Sequence, residues 1–405
     1  MRSSVFKYIL FFISILVFTG CATYGAHKVS PTPIEAAKAE IPENQLIDVG
    51  ILVFESEELT PKQAEKEGTN ADIRKAESHF IPYHLKNTLH QSGHWGAIQV
   101  IPAETNSVDL LVKGKIIESN GEILVLEIEV VEATGNRWFK RKYSAEASES
   151  IYAGNRAGEK DAYQDLYNTI ANDMAKFKMK LGPSEIETIR TVSKLKFAQE
   201  FAPDAFEGYL AKDKKGRLSV KRLPADNDPM MERLLKIRER EYMYVDTLNN
   251  QYERFYNEMW PSYENWRDLN LTERQAIKKI KREALTKQLI GALLIAGAIA
   301  AGASNSNAGQ VLAPAIAIVG GQVIISGWNI SKEAEIHSAA IEELSESFGN
   351  EMQPVIMEFE GQQYELTGTA EEQFKRWREL LRQIYFAETG FTPTALPEAQ
   401  NMDSE

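Results

Sequence analysis

Residues 108–146 read VDLLVKGKIIESNGEILVLEIEVVEATGNRWFKRKYSAE. Three runs rich in apolar residues are separated by two turn dipeptides, Asn120–Gly121 and Thr134–Gly135. In the middle run Leu124, Leu126, Ile128 and Val130 alternate with Val125, Glu127 and Glu129. A period of two sends these two sets to opposite faces of a strand. Asn-Gly closes a tight hairpin, because both of its central residues tolerate positive φ. The stretch therefore predicts an antiparallel sheet with one covered apolar face and one partly acidic face.

Working outward, LIDVGILVF (46–54) reads as a buried strand and the polar residues 55–72 as a loop. In RKAESHFIPYHLKNTLHQSG (74–93), Phe80, Leu85 and Leu89 have helical spacing and Gly93 is a stop signal. Pro82 falls inside that helix and predicts an irregular start. WGAIQVIP (95–102) is a short strand. After the meander, Tyr163, Leu166, Tyr167, Ile170 and Met174 line one face of a closing helix. The order over 46–182 is β-α-β-β-β-β-α. With VGILVF, GHWGAIQVIP, VDLLVKGKI and EVVEATGNRWFKRKY in place, this resembles the amino-terminal domain of the TolB family and the periplasmic domain of curli-secretion-type lipoproteins. The resemblance implies a domain that assembles with other envelope proteins or with itself, although a fold does not fix a function.

Residues 183–288 read as helical. Ser184 with Glu187 predicts a capped start, and AKDKKGRLSVKRLP (211–224) a loop with a small strand pair. From 230 to 260 a broad stripe carries Leu234, Ile237, Tyr242, Tyr244, Val245, Leu248, Tyr252 and Phe255. Pro261 is expected to end or kink that helix, and Thr272 to cap the next. The aromatic set Tyr242, Tyr244, Tyr252, Phe255, Tyr256, Trp260, Tyr263 and Trp266 reads as packing, with a sugar-binding platform as the alternative. Glu239, Glu241, Asp246 and Glu253 read as a solvated face rather than an acid/base pair.

Leu289–Ala303 and Val311–Trp328 carry no charge and flank the polar turn SNSNAGQ (304–310). As helices they measure roughly 22 and 27 Å, against ~30 Å for a bilayer core. Ala292, Ala296 and Ala300 repeat every four residues, as do Ala313, Ala317 and Gly321. Such spacing lets helix backbones approach closely. The segment resembles the glycine-zipper regions of bacterial envelope lipoproteins. A basic collar of Lys278, Lys279, Lys281, Arg282 and Lys287 precedes it and suits anionic head groups. Membrane insertion or oligomer formation is the leading expectation, and a hairpin buried in a globular core is the alternative.

Beyond the hairpin, residues 329–390 predict a helix, a β-hairpin around Glu360–Gly361 and an amphipathic helix. Thr369 and Glu372 form a capping box for that last helix, and residues 391–405 read as a disordered tail. The expected fold class is α+β. It comprises a small mixed or antiparallel sheet domain with two packed helices, then a long-helix region with the Gly/Ala-rich hairpin, then the C-terminal β-hairpin and helix.

The chain uses cysteine once in 405 residues, at Cys21. Arg2 and Lys7, an apolar run to Phe18 and the small residues before Cys21 describe a secretory signal over 1–20. The ending VFTGC resembles the bacterial lipobox, although Phe18 stands where Leu is usual. The resemblance implies acylation of Cys21, and Ala22 rather than Asp implies an outer-membrane destination. Residues 21–45, small, polar and Pro-containing, read as a tether. The net charge of −12 argues against nucleic acid as a partner.

His79, His84, His90 and His94 crowd one region, and His90 and His94 are four apart, but a third ligand is not evident. No phosphate-binding loop, nucleophile elbow or zinc spacing is present in the sequence, and no cofactor is expected. The expectation is a non-enzymatic, lipid-anchored protein facing the periplasm. Its partners are the membrane, through Cys21, and further copies of itself or other envelope proteins. A periplasmic glycan-binding or hydrolytic lipoprotein is the alternative.

Overall fold

The computed structural model describes residues 27–28, 30–57, 59–147, 160–300, 332–350, 352–359 and 362–390. Cys21 and the hairpin positions Ala313, Ala317 and Gly321 lie outside these residues. The chain is α+β, as its periodicities predict.

Strands β1 (His27–Lys28), β2 (Val49–Leu52), β3 (Glu55–Ser56), β4 (Ile98–Ile101), β5 (Leu110–Ser119), β6 (Ile123–Glu132) and β7 (Arg137–Glu146) form one mixed sheet. Its order is β1-β7-β6-β5-β2-β4, with β3 also on β5. β5, β6 and β7 are the antiparallel meander, whereas β2 runs parallel to both β4 and β5. The alternation in β6 is realised: Leu124, Leu126, Ile128 and Val130 are buried. On the opposite face Glu127 pairs with Lys140 and Glu129 with Arg137. That face keeps water because its charges are satisfied across strands.

Between β3 and β4 lie α1 (Pro61–Glu67) and α2 (Ala71–Ser92). α1 replaces part of the loop expected over 55–72. α2 starts on Asn70, whose side chain accepts from the Ile73 amide at 2.8 Å, and ends on Gly93 at φ +64°. Pro82 does not make it irregular. Proline frees the carbonyl four residues earlier, and here that carbonyl, Ser78 O, accepts the Phe54 amide at 3.0 Å. α3 (Gln164–Lys178) lies beside α2, and both bury their apolar faces on the covered side of the sheet.

Residues 30–45, expected as a tether, are docked instead. Asn168 and Asn172 on α3 donate to the carbonyls of Thr32 and Pro33, and the Glu35 amide donates to Asn172 Oδ1. The Ala37 amide donates to Ser92 O. Side-chain amides 130 residues away thus satisfy a backbone that has no partners of its own.

α4 (Pro183–Phe201) is capped by Gly182, two residues before the expected cap Ser184. Pro183 at its first position supplies a preset φ, and Glu185 accepts the Gly182 amide at 2.7 Å. Short α5 (Pro203–Phe206) and the strand pair β8 (Leu210–Lys212) and β9 (Leu218–Val220) follow.

The spine of the molecule is α6 (Pro229–Ala300). The helix neither ends at Pro261 nor restarts at Thr272. Pro261 is exposed, and so is Asn257, whose carbonyl it frees, so water can satisfy that group. Thr272 is an interior residue of the helix. α7 (Lys332–Asn350), the hairpin of β10 (Val355–Phe359) and β11 (Gln362–Leu366), and α8 (Ala370–Thr389) complete the described chain. Thr369 and Glu372 cap α8 reciprocally, as expected.

Residues of the stretches 46–182 and 183–288 share buried clusters. One core joins Leu126, Ile128 and Leu166 to Phe255, Met259, Tyr263 and Trp266 of α6. A second joins Val100 and Ile101 of β4 to α4, the first half of α6 and α8.

Candidate membrane-facing hairpin and its root

α6 passes residues near both ends of β5. Near its start Arg238 contacts the Ser107 carbonyl and Asp109, just before β5. Further on Tyr263 donates to Glu77 at 2.6 Å, and Ser119 at the end of β5 donates to the same carboxyl. Beyond that, α6 passes the β5–β6 turn. Gly121 makes the approach possible: its φ is +78°, and a Cβ there would lie 2.5 Å from the Arg267 carbonyl oxygen.

Charge ties α6 both to the segment just before α3 and to the turn. Arg267 and Asp161 meet at 2.8 Å with both side chains buried, and the guanidinium lies over the Tyr263 ring at 4.4 Å. Burial pushes the Asp161 carboxyl up, but Arg267, His84 and the Tyr163 amide more than offset this and hold it below the usual carboxylate range. Two turns on, Glu122 receives Arg274 at 3.4 Å and Lys278 at 2.5 Å, and Arg274 also donates to Glu67 O at 3.0 Å. A groove of about 580 Å³ opens beside this cluster, lined by Gln275, Lys278, Lys279 and Arg282, with Glu122 and Glu146 on its sheet side.

α7 returns antiparallel to α6. Phe348 stacks on Phe255 with ring centroids 4.4 Å apart. Ten residues earlier Ser338 accepts from Asn70, while Asn270 donates to the carbonyl of nearby Gly68. Going back along α7 is therefore going forward along α6. The chain that leaves the body on α6 re-enters on α7 at the same end, the end that holds the β5–β6 turn.

Ala292, Ala296 and Ala300 fall in the last turns of α6, where the backbone is helical and the side chains lie outside the described residues. Among the described residues no helix is long and apolar enough to cross a membrane.

The other sequence candidates fall into place as structure. Tyr244, Tyr252, Phe255, Tyr263 and Trp266 are buried, and Tyr242, Tyr256 and Trp260 are half-buried. Phe80 stacks on Tyr256 and contacts Trp260 and Tyr263 in the α2–α6 seam, while Tyr244 packs on Phe374 and Trp377 of α8. Of the four carboxylates, Glu239, Asp246 and Glu253 are exposed. Glu241 is not on a solvated face: it is fully buried and bound by Arg378 at 3.1 Å and Thr105 at 2.6 Å.

The histidines are dispersed. His84 sits between the Tyr256 hydroxyl at 2.7 Å and Gln164 at 2.9 Å, and its pKa is lowered chiefly by burial. His79 lies against Tyr252, Phe255 and Phe348. His90 is exposed in the last turn of α2. His94, past Gly93, is buried with Nε2 at 3.0 Å from Glu35 O. Because the helix ends between them, His90 and His94 do not share a face. Among the described residues no group of three His, Cys, Asp or Glu side chains is placed to hold a metal ion.

Sequence reasoning located the basic collar but missed Glu122, the carboxylate that Lys278 and the preceding Arg274 share. The only local signal at Glu122 was its place in the Asn120–Gly121 turn, which says nothing of a helix 150 residues away.

No protein-family model matches the chain, and no curated protein matches it significantly. Among solved structures it is similar to a Xanthomonas campestris protein of the DUF330 family model. That likeness is 9% identical, covers 37% of this chain and 93% of the other, and has a TM-score of 0.22, so it carries no argument.

Proposed function

We propose that this is a non-enzymatic, lipid-anchored envelope protein. Its α+β body carries the apolar segment 289–328 as a membrane-inserting or self-associating hairpin within an outer-membrane assembly or transport complex. The observation that supports this reading best is the antiparallel return of α7 on α6. It brings both ends of the segment side by side at one end of the body. The basic collar at that root has the charge for anionic lipid. Acylation of Cys21 supplies the permanent anchor, since each buried methylene adds ~0.8 kcal/mol of membrane affinity.

The test is fractionation of the Cys21→Ser chain. Insertion predicts that part of the exported protein still sediments with membranes in high salt, and complete release to the soluble fraction sinks it. Self-association is read separately by light scattering of the detergent-solubilised protein. Ala296→Leu with Ala317→Leu widens the small-residue faces and lowers the particle mass if those faces are the interface. An unchanged mass above that of one chain rules them out.

A further inference from the structure

Residues 211–223 hold six cations, Lys212, Lys214, Lys215, Arg217, Lys221 and Arg222, against one carboxylate, Asp213, on a chain of net charge −12. They lie on the β8–β9 hairpin and the residues just after it. In β9 Leu218 and Val220 pack against the body, so the alternate positions Arg217, Ser219 and Lys221 are exposed. The connecting turn is held by its own hydrogen bonds. Asp213 accepts the Lys215 and Arg217 amides at 2.8 Å each and the Arg217 guanidinium at 2.8 Å, and Gly216 has φ +83°. All six cations are exposed. Arg217 pairs with Asp213, and Arg222 lies over the Tyr209 ring at 4.0 Å. Lys212, Lys214, Lys215 and Lys221 have no carboxylate within ion-pair distance among the described residues.

The hairpin sits at one end of the sheet. The Leu218 amide donates to the Thr134 carbonyl at 2.7 Å, which places β9 on the β6–β7 turn. The collar of α6 meets Glu122 beside the opposite turn, so the ten residues of β6, about 30 Å, separate the two basic regions. β1 runs parallel to β7, His27 against Tyr143, so the chain before His27 leads toward Arg137 and the β6–β7 turn. Leu223, next to Lys221 and Arg222, is 66% exposed. A soluble polyanion neutralises the lysines but gives this leucine no contact, whereas a bilayer interface takes up both the charge and the apolar side chain.

We propose that the β8–β9 hairpin is a membrane-facing surface that seats on anionic lipid headgroups, its unpaired lysines against phosphates and Leu223 at the acyl boundary. Such contact rests on the reading that the protein is held at a membrane, and it defines the face of the body that meets the bilayer. The surface shares no residue with segment 289–328 or with the collar, so either can fail without the other.

Cys21 is the one cysteine, so the processed full chain carrying Cys21→Ser has no thiol until one is introduced and is not held by acyl chains. It is offered vesicles of phosphatidylcholine alone and vesicles containing phosphatidylglycerol in one competition. The parent should favour the anionic vesicles. Lys212→Gln, Lys214→Gln and Lys215→Gln together should cut that preference roughly a hundredfold, since each lysine near the surface contributes about a factor of five. No preference in the parent, or an unchanged one in the triple variant, overturns the proposal. Neither result depends on whether Cys21 is acylated, which the mass of the native mature chain decides. If Lys278→Gln with Lys279→Gln abolishes the preference instead, the collar holds the headgroups; the hairpin reading survives and this proposal falls. Retention of the parent on soluble polyphosphate without any vesicle preference gives the patch to a polyanion and likewise overturns it. A nitroxide on Lys215→Cys reads the contact directly: collisions with a water-soluble relaxant should fall several-fold when anionic vesicles are added. No fall at 215 refutes headgroup contact there, even if a label on Lys279→Cys is protected.

Discussion

Replacing Arg267 by Met tests whether α6 is clamped to the segment leading into α3 by charge or merely by apolar packing. The Arg267 and Asp161 side chains are 1% and 0% exposed and meet at 2.8 Å, so solvent does not screen them. At an effective dielectric constant near 20, two unit charges about 4 Å apart attract by about 4 kcal/mol. Removing one partner of a buried pair costs a similar ~3–5 kcal/mol, because the other charge is left without compensation. Arg267→Met keeps most of the side-chain volume but leaves the buried Asp161 carboxylate with the Tyr163 amide, which donates to it at 2.8 Å. The guanidinium contact with Tyr263 is lost as well. Urea unfolding followed by tryptophan fluorescence measures the cost, with Trp266 buried beside the site as a reporter. The companion Asp161→Asn chain and the double variant complete a cycle. The double variant should cost markedly less than the sum of the singles. A cost below about 1 kcal/mol for Arg267→Met, or additive singles, would show that the buried charges are not coupled as described.

Three further outcomes are expected. Gly121→Ala should cost at least about 1–2 kcal/mol from its left-handed backbone alone, with more from the close Arg267 carbonyl, read as a lower urea midpoint. Arg378→Met leaves Glu241 buried with only the Thr105 hydroxyl, a loss of about 3–5 kcal/mol; amide exchange should rise first in Ala370–Thr389, and unchanged protection there would contradict the contact's role. Acid sensitivity should trace in part to His84. Its folded pKa lies below the ordinary 6.5, so below that pH the unfolded chain binds more protons and stability falls as the medium is acidified. His84→Gln should flatten the decline of urea midpoint with acidification, and an unchanged slope would exclude His84 as a source.

Much of the fold was legible residue by residue. The Asn120–Gly121 turn, the alternation through β6, Gly93 as a helix stop and the Thr369–Glu372 box are signals complete within a few residues. Prolines misled where their consequences were absorbed elsewhere: Pro82 by the Phe54 amide, Pro261 by exposure to water. The sequence also drew attention to the collar and to Cys21, because unusual composition needs no partner to be noticed.

What the sequence by itself determined is the set of elements, their polar and apolar faces, the basic collar and the apolar segment that follows it. Only the tertiary structure decided which elements meet. The Asp161–Arg267 and Glu122–Lys278 pairs span 106 and 156 residues. Docking of residues 30–45 on α3 likewise joins positions more than 130 apart. Periodicity reports the face a residue occupies, since neighbours three or four apart share the same local geometry. It holds no record of which distant charge will fill the space opposite.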